Sequence, residues 1–296
     1  MSKLFSTTKA CVILLVVVMI ARGSSFIFSK TLLENMEPMN VLGIRFLTGF
    51  VILCFLFAKT LRRITRNEFI FGCLIGVSNF FVMVFEMYAL RITDASTTSF
   101  LEHTAIVMVP LFESVITRRL PQKQVIICDI ITFIGVGFLS LGGASGFHIT
   151  TGEILCLCCA TFYAMSIIMM SRLSAKTENP INIGIIQIGV MGGLSMIVSF
   201  VIESPRLPDT GSEWIYMLLL AVLCTAFGFA MQPVGQAHVS ASASGMLTAV
   251  NPLSTAVLSA IILKETLTGY EIFGAILILL SIVLLSLFPT KAHSKG

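Results

Sequence analysis

The chain has 296 residues, of which 56% are hydrophobic and only 11% charged, against about a quarter charged in an average soluble protein. A mean hydropathy of +0.97 marks an integral membrane protein. The formal net charge of +4 is scattered over loops and forms no patch for nucleic acid.

Apolar runs recur at ten places, roughly 10–29, 38–58, 68–90, 95–117, 124–141, 150–171, 181–202, 213–236, 240–263 and 269–288. Each holds about 18 to 24 residues, enough at about 1.5 Å per residue to cross a hydrocarbon core about 30 Å thick. A membrane barrel would instead alternate polar and apolar residues over segments of about ten. The expected fold class is therefore an all-α integral membrane protein with ten transmembrane helices. With the N-terminus cytoplasmic, thirteen of the 19 Lys and Arg residues lie on the inner side, four lie outside, and Arg22 and Arg45 fall within spans. The positive-inside rule thus places both termini in the cytoplasm.

The first run contains Arg22 and leads directly into another span, so it is read as a retained helix rather than a cleaved leader. Arg22 precedes a Gly-Ser-Ser step, and the second span carries Arg45. An arginine at the centre of a spanning helix costs about 2.5 to 3.5 kcal/mol on insertion scales, so both are expected to face a polar interior. Ser25 and Ser29 lie on the Arg22 side of the first helix. Asn79 and Glu86 lie in the third span; in the fourth, Thr98, Ser99, Glu102 and His103 share an arc of about 140°. Counting about 1.5 Å per residue from the outer ends puts Arg22, Arg45, Glu86, Glu102 and His103 about 6 to 12 Å deep, in one layer.

Glu113 and Asp129 lie near Arg118, Arg119 and Lys123 and read as interfacial pairs of small worth. Cys156, Cys158 and Cys159 in the sixth span lack CxxC spacing and a companion histidine, so they read as small packing residues rather than a metal site. All eight cysteines fall within spans, which argues against a disulfide framework. Tyr163, Gln187, Gln232 and Asn251 are further polar candidates along the path. Gly72xxxGly76 and Gly189xxxGly193 have the spacing of close helix contacts. At Asn251-Pro252 the proline removes a backbone donor and frees a carbonyl, which suits a kink beside a cavity.

Residues 89–121 and 236–268 share a pattern: a small, hydroxyl-rich entry, an apolar helix, a charged hairpin and another apolar helix. The chain is therefore divided into two five-helix repeats, 1–145 and 146–296. Units with an odd number of spans must be inverted relative to each other, which places a site near the midplane between them.

The sequence resembles the EamA family of the drug/metabolite transporter superfamily. In the first half the resemblance lies in Gly23-Ser24-Ser25-Phe26, Lys30, Pro38 and Arg45-Phe46; in the second, in Gly152, Ala164, Pro180, Gln187, Asn251-Pro252 and Lys264-Glu265-Thr266-Leu267. It departs from the family at Arg22, where a tryptophan is common, and at Arg118-Arg119, where a Gly-Glu pair is usual. The resemblance implies ten helices in two repeats, a scaffold role for Arg45, and a transporter.

The function expected on these grounds is a secondary active transporter of the cytoplasmic (inner) membrane that moves a small organic metabolite by alternating access. Export of an amino acid or a related compound, with proton coupling, is the first expectation. Uptake of a nucleoside-like or other metabolite, or a structural or sensory role, are the alternatives. The substrate-binding set is Arg22, Ser25, Ser29, Asn79, Ser99, Glu102, His103, Tyr163 and Asn251, with Glu102, His103 and Glu86 as proton-coupling groups and Glu102 as the resting partner of Arg22. Segments 95–99 and 240–245 are the expected gates. The sequence contains no P-loop, dinucleotide fingerprint, HExxH or nucleophile elbow, so no enzyme activity, cofactor or metal is expected. The partners are a small-molecule substrate, protons and the lipid bilayer, with the unit a monomer or homodimer.

Overall fold

The computed structural model describes residues 8–93, 98, 101–118, 120, 123–141, 150–262 and 268–287. In chain order the helices are α1 (Thr8–Gly23), α2 (Ser25–Leu33), α3 (Pro38–Leu56), α4 (Ala58–Leu61), α5 (Arg66–Ile92), α6 (Ala105–Thr117), α7 (Lys123–Leu141), α8 (Thr151–Ser174), α9 (Pro180–Ile202), α10 (Gly211–Leu219), a π-helical stretch (Leu220–Phe229), α11 (Ala230–Gln236), α12 (Ala241–Leu247), α13 (Val250–Ile262) and α14 (Gly269–Leu287). Among the described residues there are no strands.

Among the described residues, six apolar segments are long enough to cross a membrane: Lys9–Leu33, Pro38–Leu56, Arg66–Ile92, Thr151–Ser174, Pro180–Ile202 and Gly211–Gln236. The chain is thus a multi-pass membrane protein. Of the other expected spans, the fourth is described only in part and the ninth is split between α12 and α13, while α7 and α14 occupy the fifth and tenth.

Helix starts follow local chemistry. Pro38 and Pro180 occupy first positions, where a missing N–H costs nothing. Thr65 and Glu68 form a reciprocal cap on α5, at 3.3 and 3.1 Å. Glu68 also accepts from Asn179 N (3.2 Å) and from Asn182 Nδ2 (2.8 Å), tying α5 to the start of α9. At the opposite end, Glu203 accepts from Met39 N (3.0 Å) and Asn40 N (2.9 Å), so a carboxylate from the end of α9 caps α3. Helix α9 is therefore fastened at both ends, to α5 at its start and to α3 at its end.

Between those fasteners α3 lies against α9, α5 packs on both α8 and α9, and α7 packs on α14. Close approach depends on absent side chains. A Cβ on Gly184 would stand 2.4 Å from the Ala230 carbonyl oxygen, and one on Gly72 would stand 2.6 Å from Ile186. Gly189 and Gly192, three apart, face Phe50 and Leu47 of α3, whereas Gly193 faces open space. The α3 contact in this helix thus uses a GxxG spacing, and the GxxxG read from the sequence does not describe it. Gly76 does meet Gln187 and Val190.

Candidate functional site

The centre of the bundle is organised by interruptions in three spans. The first span breaks at Ser24, the fourth turns at 103–104 and the ninth at 248–249. A break within apolar surroundings must satisfy its freed carbonyls. At the end of α1, the Ala21 carbonyl accepts from Ser24 Oγ (2.8 Å) and Cys224 Sγ (3.2 Å), and the Gly23 carbonyl accepts from Thr255 Oγ1 (2.7 Å). Gly23 has no side chain because α13 lies against it: a Cβ there would sit 2.7 Å from the Asn251 carbonyl oxygen. In the ninth span, Thr248 Oγ1 donates to the Gly245 carbonyl at 2.6 Å.

Arg22 occupies the last turn of α1, where a cation complements the helix dipole. It is 94% buried. Its Nη1 donates to Gln232 Oε1 at 2.9 Å and to the Tyr163 hydroxyl at 3.5 Å. The guanidinium carbon lies 4.2 Å from the Phe229 ring centre and 5.8 Å from that of Tyr163. Its stem crosses the π-helical stretch at Gly228, where a Cβ would come within 2.8 Å of Arg22 Cγ.

Arg45 is fully enclosed, donates from Nε to Thr225 Oγ1 at 3.0 Å and lies 4.9 Å over Phe46. Phe46 in turn meets Phe229 edge to face at 5.2 Å. Two guanidinium groups are thus separated by two aromatic rings, each ring offering its negative face to a cation. Glu86 and Glu102, both buried, lie within Coulombic range of Arg22, and Glu86 also of Arg45.

The expected ion pair between Arg22 and Glu102 is not formed. The four ion pairs among the described residues are Arg91–Glu37, Arg172–Glu113, Arg206–Asp209 and Arg206–Glu213. The neutral Gln232 takes the place beside Arg22 instead. Among the described residues Glu113 pairs with Arg172 (3.9 Å) and accepts from Ser242 Oγ (2.7 Å) in place of the expected cations of the hairpin; Asp129 is buried, and neither of its carboxylate oxygens has a hydrogen-bond partner among the described residues.

Asn79 is held at both ends of its amide: Oδ1 accepts from Ser166 Oγ (2.6 Å) and Nδ2 donates to Gln187 Oε1 (3.0 Å). Gln187 Nε2 passes the chain on to the Phe229 carbonyl at 2.8 Å. That carbonyl needs an outside donor because the residue four positions on is Pro233, which has no N–H. Asn79 is thereby part of the network that carries Phe229 rather than an open contact. Ser29 Oγ, Glu102 Oε2 and Asn251 Oδ1 are buried with no hydrogen-bond partner among the described residues. Ser25 and His103 are buried nearby in the chain, and Ser99 lies outside the described residues, as does most of segment 95–99.

Phe229, Thr225, Cys224 and Gly228 were not singled out from the sequence. All four come from the π-helical stretch, whose i→i+5 bonding changes which residues face α1 and α3. A cavity of about 440 Å³ opens at the end of the bundle formed by the turns after α3, α8 and α11. Met231 and Val234, which flank Gln232 and Pro233, line it together with Phe57, Ser174 and His238.

The sequence profile of the EamA-like transporter family matches residues 9–141 and again residues 150–287. An uncharacterized transporter of Archaeoglobus fulgidus is 27% identical over 272 residues, covering 90% of this chain and 82% of that protein. The threonine/homoserine exporter RhtA of Salmonella typhimurium is 26% identical over 283 residues, covering 91% and 90%. A crystal structure superposes with a TM-score of 0.80 at 15% identity, over 97% of this chain and all of the other, which shows a shared fold.

Proposed function

The chain belongs to the EamA-like transporter family, and from that premise we propose that it is a secondary active exporter of an amino acid or a related small metabolite, working by alternating access in the cytoplasmic membrane. The observation that carries this reading is the state of Arg22. Both of its hydrogen bonds leave from Nη1, so among the described residues the Nε and Nη2 donors carry none and no carboxylate forms an ion pair with it. An always-charged guanidinium with one edge unused, deep in an apolar bundle, is suited to bind a carboxylate in bidentate fashion. The name of the Salmonella relative, an exporter of threonine and homoserine, supports a zwitterionic cargo.

Two further observations support inverted five-helix repeats. The family profile matches the two halves separately, and exchanging the halves maps the α5–α8 contact onto that of α1 with the π-helical stretch and α11, and leaves α3–α9 and α7–α14 paired with each other. In this reading both termini are cytoplasmic, Glu102, with its unpartnered oxygen, exchanges the coupling proton, and Glu86 and His103 complete the layer.

The test is flux through proteoliposomes presented with a panel of amino acids. Arg22→Ala is expected to abolish transport while leaving the protein folded, Arg22→Lys to be poorly tolerated because a point charge replaces a planar fork, and Glu102→Gln to keep binding while removing its pH dependence. Wild-type rates for Arg22→Ala would return this arginine to the role of a buried structural cation.

A further inference from the structure

Gln232 is the residue nearest in function to Arg22, and its chemistry is unusual for that place. A guanidinium in a low-dielectric interior is most simply balanced by a carboxylate, and glutamate has the same shape as glutamine. Here the acceptor 2.9 Å from Nη1 is an amide oxygen. It orients the guanidinium without cancelling its charge. Three other features fix the same pose: the Phe229 ring 4.2 Å from the guanidinium carbon, the Tyr163 hydroxyl 3.5 Å from Nη1, and the bare backbone of Gly228 under the stem.

We propose that Gln232 is the positioning residue of the Arg22 site, a neutral acceptor that aims the guanidinium and leaves its charge for an incoming carboxylate. The inference rests on the reading that Arg22 meets the cargo, and it adds why the site selects an anionic group. A carboxylate at position 232 would fill the role that the cargo must fill, and the two would compete. Gln232 also joins the site to the cavity at the end of the bundle, because Met231 and Val234 of the same turn line that cavity. A movement that opens or closes the cavity by shifting α11 would carry the Gln232 oxygen toward or away from Nη1.

The experiment measures stabilisation of the purified protein against heat by each of the twenty L-amino acids, then binding of the best one in variants across a range of pH. Gln232→Glu is expected to weaken binding at least about tenfold near neutral pH and to recover as acid protonates the introduced carboxyl. Gln232→Met and Gly228→Ala remove the aim without adding a charge, so they should weaken binding with the pH profile of the wild type. Binding by Gln232→Glu equal to wild type at every pH overturns the proposal. So does a loss with the same pH profile as Gln232→Met, which is what a merely structural role would give. Should Gln232→Glu fail to fold, wild-type affinity in Gln232→Met overturns it alone. If binding is lost in Arg22→Ala while Gln232→Glu is unaffected, the transport reading survives and the positioning role does not; if none of the twenty stabilises the wild type, the amino-acid cargo and the positioning role fall together.

Discussion

Arg118, which ends α6, has a positive φ of 53°, the left-handed conformation, and among the described residues it is the non-glycine residue that does so. An L side chain there costs about 1 to 2 kcal/mol. Glycine, which has no Cβ, adopts this conformation at no such cost. Arg118 is exposed, and Arg118→Gly is expected to stabilise the protein by about 1 kcal/mol, read as a rise in melting temperature in detergent. Individual residues of the central layer could be read from the sequence where they were charged: Arg22, Arg45, Glu86 and Glu102 are all buried. The partner of Arg22 could not, because an ion pair was the simplest way to balance a buried cation and counting along helices carries no information on rotation between spans.

At the scale of elements, the break in the first span was announced by Gly23-Ser24-Ser25, and the one in the ninth by Asn251-Pro252 close behind it. The π-helical stretch was not, since LAVLCTAFGF contains no residue that forbids an ordinary α-helix, and its register is set by what it packs against. Glycines divide in the same way. Gly184 and Gly193 sit in one helix nine positions apart, yet one meets the Ala230 backbone and the other nothing within 4 Å. Gly184→Ala should destabilise by about 1 to 3 kcal/mol because neither backbone can yield. Gly193→Ala should be neutral or stabilise by up to about 1 kcal/mol through helix propensity. Thermal unfolding of the two single variants separates them, and equal melting temperatures would contradict the packing described here.

Across the whole molecule, α3 packs on α9 and α7 on α14, the two contacts that join the halves in the proposed repeat arrangement. Glu203 fastens the end of α9 to α3 and Glu68 fastens its start to α5, so α9 is held at both ends by its neighbours. The α6–α12 contact is lighter. Gly245 lies against Val109, where a Cβ would stand at 3.3 Å. Gly245→Leu is expected to yield a folded protein locked with one side accessible, detected by labelling a cysteine placed at His238 in the cavity. Labelling unchanged from the wild type in a stable variant would reduce this contact to static packing. The six membrane-length apolar segments among the described residues were countable from hydropathy because length and apolarity are local properties. Which span touches which was not, because lipid-facing and interior faces are equally apolar and the pattern that separates them in soluble helices is weak.

The π-helical stretch has a consequence for how such a chain can change over generations. Each i→i+5 hydrogen bond closes around one residue more than an i→i+4 bond, so the eighth span carries slack that a regular helix lacks. Loss of a single residue from Leu220–Phe229 would be absorbed by shortening the π-helical stretch toward an ordinary α-helix. In a regular α-helix the same loss would turn everything beyond it by about 100°. A one-codon deletion in this span would therefore leave Met231, Gln232 and Val234 facing as they do now, where the same deletion in α3 or α9 would redraw the lining of the bundle.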